Sequence, residues 1–300
     1  MKSIILPLFA LLVFTFAACD STEPTLPALA APAQLRAASD SGALILAWSP
    51  STDEGHSEFS GYHVTVTDTR TEAIQHFDAG RNSTYRLTGL ENGVLYRLAV
   101  RCWGKDGLSS PQERSILWSP AQRRAHDAAG QPIRVYAVTA TGYPSAVDIL
   151  NPEGRVEALL LNSAAFRERA SLYVHTLGSA AALIIRSPEL AFDPGPRTRF
   201  ADWVNGGYVM EANSLNEPLA SSPPDTSTYT ATFITLPNGT YPKGRVYFGK
   251  LLRPGGDIYF RMLVKRGANG RMAQGTGDNR YIEIEVSVQS TAGNHFAKRG

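Results

Sequence analysis

Cysteine, histidine and any surplus of charge are all scarce in this chain. Two cysteines in 300 residues cannot build a disulfide framework or a multi-cysteine zinc site. Six histidines fall without ligand spacing, so neither a metal centre nor another cofactor is expected. Lys and Arg number 29 against 27 Asp and Glu, a formal charge of +2, which removes any global electrostatic reason to expect nucleic acid as a partner. Long apolar runs are missing too. The mostly apolar stretch Ile4–Phe16 has 13 residues, short of the ~20 that a membrane-spanning helix needs. What is present is a globular composition, 43% apolar and 19% charged. Full disorder is excluded, and the length suggests about two domains.

The N-terminus reads as an address. Met1 and Lys2 precede the short apolar run, which ends in Phe16-Ala17-Ala18-Cys19-Asp20-Ser21. This junction resembles the lipobox of bacterial lipoproteins, with Phe16 where leucine is commonest. The resemblance implies removal of residues 1–18 and acylation of Cys19 as the new N-terminus. Several acyl chains on one residue, each buried methylene contributing about 0.8 kcal/mol, anchor a protein to a membrane without crossing it. It therefore implies a bacterial cell-envelope location. The outer membrane or cell surface is preferred, and Asp20, which resembles the inner-membrane retention signal of enteric bacteria, keeps the inner membrane open. Residues 19–31, rich in Ser, Thr, Pro, Ala and Leu, read as an extended tether.

From residue 32 the pattern alternates with period two. Leu44, Leu46 and Trp48 share one strand face, Tyr62, Val64 and Val66 a second, and Tyr96, Leu98, Val100 and Cys102 a third. Short alternating strands punctuated by Gly, Pro and Asn-Gly predict an antiparallel sandwich. The order of signals resembles the fibronectin type III module over 32–122. Pro32-Ala33-Gln34-Leu35 corresponds to its opening strand, Trp48 to its second-strand tryptophan, Leu90 with Tyr96 to its tyrosine corner, and Gly104–Ser110 to the turn that follows. An immunoglobulin domain is disfavoured, because Cys102 stands alone and the tryptophan lies on the second strand. The resemblance implies a spacer or protein-contact module without catalytic activity, and a buried inert thiol at Cys102.

A polar linker at 123–131 leads to a β-rich domain over 132–290, followed by a tail at 291–300. Strand-like stretches appear at 133–140, 172–175, 182–185, 207–210, 229–236, 246–252, 258–264 and 281–288. In the last, Ile282, Ile284, Val286 and Val288 alternate with Glu283, Glu285 and Ser287. Residues 158–170 are read as a short helix. The fold class is therefore all-β, a fibronectin type III sandwich followed by a second antiparallel β-sandwich or jelly-roll-like domain.

Chemistry is sparse in this second half. It lacks a Gly-x-Ser-x-Gly elbow, a His-Glu-x-x-His pair and a Walker loop. The turn Gly275–Asn279 offers a calcium ion a single carboxylate, too few for a cation that takes six to eight oxygens. Glu189, Asp193, Asp202, Glu211 and Asp257 are the acids from which a glycosidase pair would be drawn. Aromatics are the better clue. Trp203, Tyr208, Tyr229 and Tyr241 fall in or beside turns and strands and are candidate ligand contacts, with Tyr247 and Tyr259 in the same class and Leu219–Thr228 a candidate recognition loop. The function expected is a membrane-anchored, non-catalytic lipoprotein presenting its distal domain for protein or glycan binding or envelope assembly. The alternative is a surface carbohydrate-processing hydrolase or its accessory subunit.

Overall fold

The computed structural model describes residues 28–151, 156–178, 182–192, 195–201, 210–217, 226–289 and 291–295. Its elements are nearly all strands, and the single α-helix among the described residues has six residues.

Seven strands form the first sandwich: β1 (Ala33–Asp40), β2 (Ala43–Ser49), β3 (Phe59–Asp68), β4 (Ile74–Gly80), β5 (Thr84–Thr88), β6 (Tyr96–Gly104) and β7 (Arg114–Trp118). They pair antiparallel in two sheets, β1-β2-β5 and β4-β3-β6-β7. The period-two faces predicted from sequence meet between these sheets. Trp48 lies edge-on to Tyr62 at 5.4 Å, and Phe59 edge-on to the same ring at 5.2 Å. Buried rings still require partners for their polar ends. The Tyr62 hydroxyl accepts from the Ser51 amide at 2.8 Å, and burial pushes its pKa up. The Tyr96 hydroxyl accepts from the Glu91 amide at 3.1 Å beside buried Leu90, which pins the β5–β6 crossing.

The second domain continues with β8 (Gln122–Arg124), β9 (Ile133–Tyr136), β10 (Ala146–Asp148), β11 (Glu157–Leu159), helix α1 (Ala164–Arg169), β12 (Leu172–Thr176), β13 (Leu183–Arg186), β14 (Arg197–Ala201), β15 (Met210–Ala212), β16 (Tyr229–Ala231), β17 (Phe233–Thr235), β18 (Gly244–Leu252), β19 (Ile258–Val264) and β20 (Tyr281–Val288). One sheet runs β11-β10-β12-β13-β17. The other runs β16-β14-β18-β19-β20-β8, with β15 also on β18 and β9 also on β20. Between them lies a core of Ile282, Ile284, Val286 and Val288 from β20, Phe260 and Met262 from β19, and Leu172, Val174, Leu183 and Ile185 from the facing sheet. Gly249 on β18 is required there, since a side chain would run into the Phe260 ring.

Several sequence readings change. The strand expected over 133–140 is only β9, because the chain turns where the Ala140 amide donates to the Ala137 carbonyl at 2.8 Å, and of the strand read over 207–210 residues 207–209 lie outside the described residues. The helix expected over 158–170 is confined to Ala164–Arg169, because Glu157–Leu159 pairs with β10. Ser163 caps the helix, its hydroxyl accepting from the Phe166 amide at 3.1 Å, and Phe166 anchors it on the outer face of the five-stranded sheet beside Ala146, Leu159 and Tyr173. The strand read over 229–236 is two, β16 and β17, which join different sheets. The polar side of β20 is not solvated either, since Glu285 is 5% exposed and Ser287 fully buried.

The cover over Glu285 and Ser287 is the first sandwich. Ala201, Ala212, Leu215, Tyr229, Val246, Phe248, Tyr259 and Leu263 belong to one continuous apolar cluster with Trp48, Tyr62 and Trp118. Polar groups stitch this joint. Arg261 donates to the Ser39 carbonyl at 3.2 Å and Asn294 to the Gly93 carbonyl at 2.9 Å. Burial lowers the Arg261 pKa to about 10. The segment between the sandwiches takes part as well, because β8 pairs with β20 where the linker was expected to begin.

Candidate functional site

Three clefts of about 650, 330 and 250 Å³ lie next to one another along the side of the distal sandwich where β9 approaches β10 and β11. Asn151 and Glu157 are shared by the first and second, Asp127 and Ala158 by the second and third. The result is a groove that begins at Glu168, Arg169 and Arg253 and ends at Arg134, Tyr136 and Pro144. The largest cleft alone falls within the ~300–1,000 Å³ of small-ligand sites.

Its charges are arranged rather than free. Helix α1 ends at Arg169, whose guanidinium donates to Asp148 at 3.0 Å and also to Glu157. The Asn151 amide donates to Glu157 at 2.7 Å. The bond to Glu157, with a smaller contribution from Asp148, raises the Arg169 pKa, so that side chain is a permanent cation. Beneath it Arg124 donates to the Ile149 carbonyl at 2.9 Å, its pKa lowered by burial and partly restored by Asp148. Asp127 accepts from the amides of Ala129 at 2.9 Å and Gln131 at 2.8 Å, which fixes the turn at the groove's middle. Arg253 has no side-chain partner among the described residues and lines the largest cleft.

Next to the Tyr136 end stands an aromatic stack. Tyr136 and Tyr143 are stacked at 4.5 Å, Tyr281 lies 5.1 Å from Tyr136, and the Arg134 guanidinium sits 5.1 Å from the Tyr281 ring centre. With one face against Tyr136 and 45% of its surface exposed, Tyr143 offers its other face to solvent. The turn that presents it is held by hydrogen bonds from the Tyr143 amide to Ala140 and from the Tyr136 amide to Pro144.

The residues singled out from sequence lie elsewhere. Tyr229 is 4% exposed and meets Tyr259 edge-on at 5.3 Å within the joint, which leaves it no surface for a ligand. Tyr259 and Tyr247 are buried as well, the latter with its pKa raised by desolvation. Tyr241 is half-buried, its ring covered by the Arg245 guanidinium at 4.3 Å. Trp203 and Tyr208 lie outside the described residues, as do Cys19, Asp193, Asp202 and most of the 219–228 loop. Of the acids considered for hydrolysis that are described, Glu189 pairs with Arg197 and Arg199, Asp257 pairs with Lys250, and Glu211 is exposed on β15; none of these three lines the groove. Among the described residues no group of three or more His, Cys, Asp or Glu could hold a metal ion, and no helix is long and apolar enough to cross a membrane. The groove's own residues were missed because Asp127, Asp148, Glu157, Arg169 and Arg253 are scattered in sequence and converge only through the pairing of β10 with β11 and the packing of α1.

Comparison with known proteins bears on the first sandwich. Residues 30–119 match the fibronectin type III domain family, so the chain contains such a domain. Solved structures similar to this part include a myokine (16% identity, 31% of this chain and 99% of that one, TM-score 0.27). The FN5 domain of Drosophila Lar is similar as well (18% identity, 31% and 96%, TM-score 0.26). So is the third fibronectin III domain of human KIAA0343 protein (20% identity, 31% and 83%, TM-score 0.27). No curated protein matches the sequence.

Proposed function

We propose that this chain is a membrane-anchored bacterial lipoprotein whose distal β domain captures a ligand without transforming it. The β-sandwich with its fibronectin type III domain supports a binding or scaffold role. The observation that carries the choice of binding over hydrolysis is the placement of the groove's carboxylates. A glycosidase needs two carboxyl groups flanking the scissile bond, whereas Asp148 and Glu157 are cross-strand neighbours that both accept from the one Arg169 guanidinium. The anchor rests on Ala17-Ala18-Cys19-Asp20 after a short apolar run.

The fibronectin type III domain is docked on the distal one, with the groove on the distal half; the tether read at 19–31 ends earlier, since Leu29 is buried in the first sandwich and the Ala30 amide donates to Asp53 at 2.7 Å. Membrane fractionation tests the anchor. The native protein is expected in the membrane fraction and Cys19→Ser in the soluble one, with intact mass locating the acyl groups on Cys19. An unmodified Cys19, or cleavage at another site, overturns the anchor.

A further inference from the structure

We propose that the groove from Arg253 to Tyr136, with Tyr143 beside its end, binds a neutral hexopyranose oligosaccharide, an inference that deepens the binding function proposed above by naming its ligand. Shape is the first argument. Three neighbouring clefts that share lining residues offer a row of subsites to a linear chain rather than a socket for one compact molecule.

Charge is the second. Asp127, Asp148, Glu157 and Glu168 are nearly balanced by Arg134, Arg169 and Arg253, and the two signs are interspersed along the channel. Such a lining has no net field with which to attract a polyanion or a polycation. It does present planar, forked hydrogen-bonding heads: carboxylates that accept, guanidinia that donate, and the amides of Asn151 and Gln131 that do both. Vicinal hydroxyls on a sugar ring, each a donor and an acceptor, match those heads. Arg169 and Glu157 are already held in place by their mutual bond, so little ordering is lost when a hydroxyl adds to them.

The aromatic end is the third. The C–H face of a pyranose ring is apolar, and the open face of Tyr143, braced from behind by Tyr136, is a rigid apolar plate beside the last cleft. Arg253 marks the other end as a guanidinium that makes no ion pair among the described residues. These two residues are also the safest to remove. Tyr143 is an exposed turn residue and the Arg253 side chain makes no hydrogen bond or ion pair among the described residues, so neither substitution takes a partner from the core.

Calorimetry on the full mature chain in detergent micelles, with cellohexaose, maltohexaose and chitohexaose as probes, tests the proposal. At least one hexasaccharide is expected to bind, its own disaccharide more weakly, and Tyr143→Ala and Arg253→Ala each at least about tenfold more weakly, the loss of one good contact. Hexasaccharide binding that both variants retain at full strength overturns the groove as the location. A disaccharide that binds as tightly as its hexamer overturns the extended channel. If none of the three binds to folded wild-type protein, the glycan inference fails, while the anchored binding function stands or falls separately on membrane fractionation. Appearance of shorter sugars on chromatography of the mixture would retain the groove and overturn the non-catalytic reading.

Discussion

The two sandwiches solve the same packing problem with different amounts of help. In the first, every inward face is closed by the partner sheet of the same ninety-odd residues, so Leu44, Trp48, Tyr62, Val64 and Leu98 show a clean period of two. In the second, the eight-stranded sheet is covered twice. The five-stranded sheet closes one face, and the fibronectin type III domain closes much of the other. A local alternation therefore means different things in the two regions. Glu285 and Ser287 point away from the inner core as their spacing predicts, yet they are buried, because their cover lies more than a hundred residues away in sequence. The module that resembles a spacer is in fact the lid on a sheet.

The hardest test of that difference is Trp48→Ala. The ring is buried between the two sheets of the first domain, and removing it should cost about 3–5 kcal/mol. Because its apolar cluster continues into Tyr229, Val246 and Phe248, urea denaturation of the full chain should remain a single transition with a lower midpoint. Two separated transitions, with only the first one shifted, would show that the shared cluster does not couple the domains.

Glu285→Ala probes the joint itself. Its carboxylate meets Arg123 at 2.9 Å and Lys265 at 3.2 Å in a nearly buried setting. Removing it takes the carboxylate from part-buried Arg123, while Lys265 keeps Glu283 at 3.5 Å, for an expected loss of about 2 kcal/mol measured in the same urea titration. A change within error would mean that the joint is wetter than its packing implies.

How far the sequence could reach follows from these contacts. Trp48, Tyr62, Leu90 and Tyr96 were legible because each is specified within its own strand pair and in an order that resembles one module. The strands of the distal domain were mostly legible for the same reason, β20 best of all. Three-residue strands such as β10 and β11 carry too few positions for a period, so the groove's floor was invisible. Tyr229 was misleading in another way. As an aromatic at a strand start it suits exposure and burial equally, and only the packing of the first sandwich decides between them.

A smaller effect is expected at the tyrosine corner. Tyr96→Phe keeps the ring and deletes the hydroxyl that accepts from the Glu91 amide, leaving that part-buried donor to find another acceptor. The expected loss is about 1 kcal/mol. Because the Glu91–Val94 turn adjoins the Gly93 carbonyl to which Asn294 donates, amide hydrogen exchange should rise in that turn and around Asn294 together. A rise confined to the turn would uncouple the corner from the joint.

The gentlest measurement changes no side chain of the folded domains. In Cys19→Ser, Cys102 is the sole thiol, and it lies wholly within the first sandwich, its Sγ donating to the Ala30 carbonyl at 3.1 Å. Burial raises its pKa, so at pH 8 the native thiol is both protonated and covered, and a disulfide reagent should label it only when the chain opens. The same shift fixes a pH dependence. Above the ordinary thiol value of 9.0 the unfolded chain loses its proton while the native one keeps it, so the native state becomes less stable as pH climbs from there through the raised native value, and the thiol's contribution is intact below 9.0. Since the distal domain has no cysteine, labelling against urea reports the first sandwich alone. If the joint couples the two, labelling should follow the loss of β-sheet circular dichroism of the whole chain; labelling at distinctly lower urea would mean that the first sandwich opens by itself while the second stays folded without its cover.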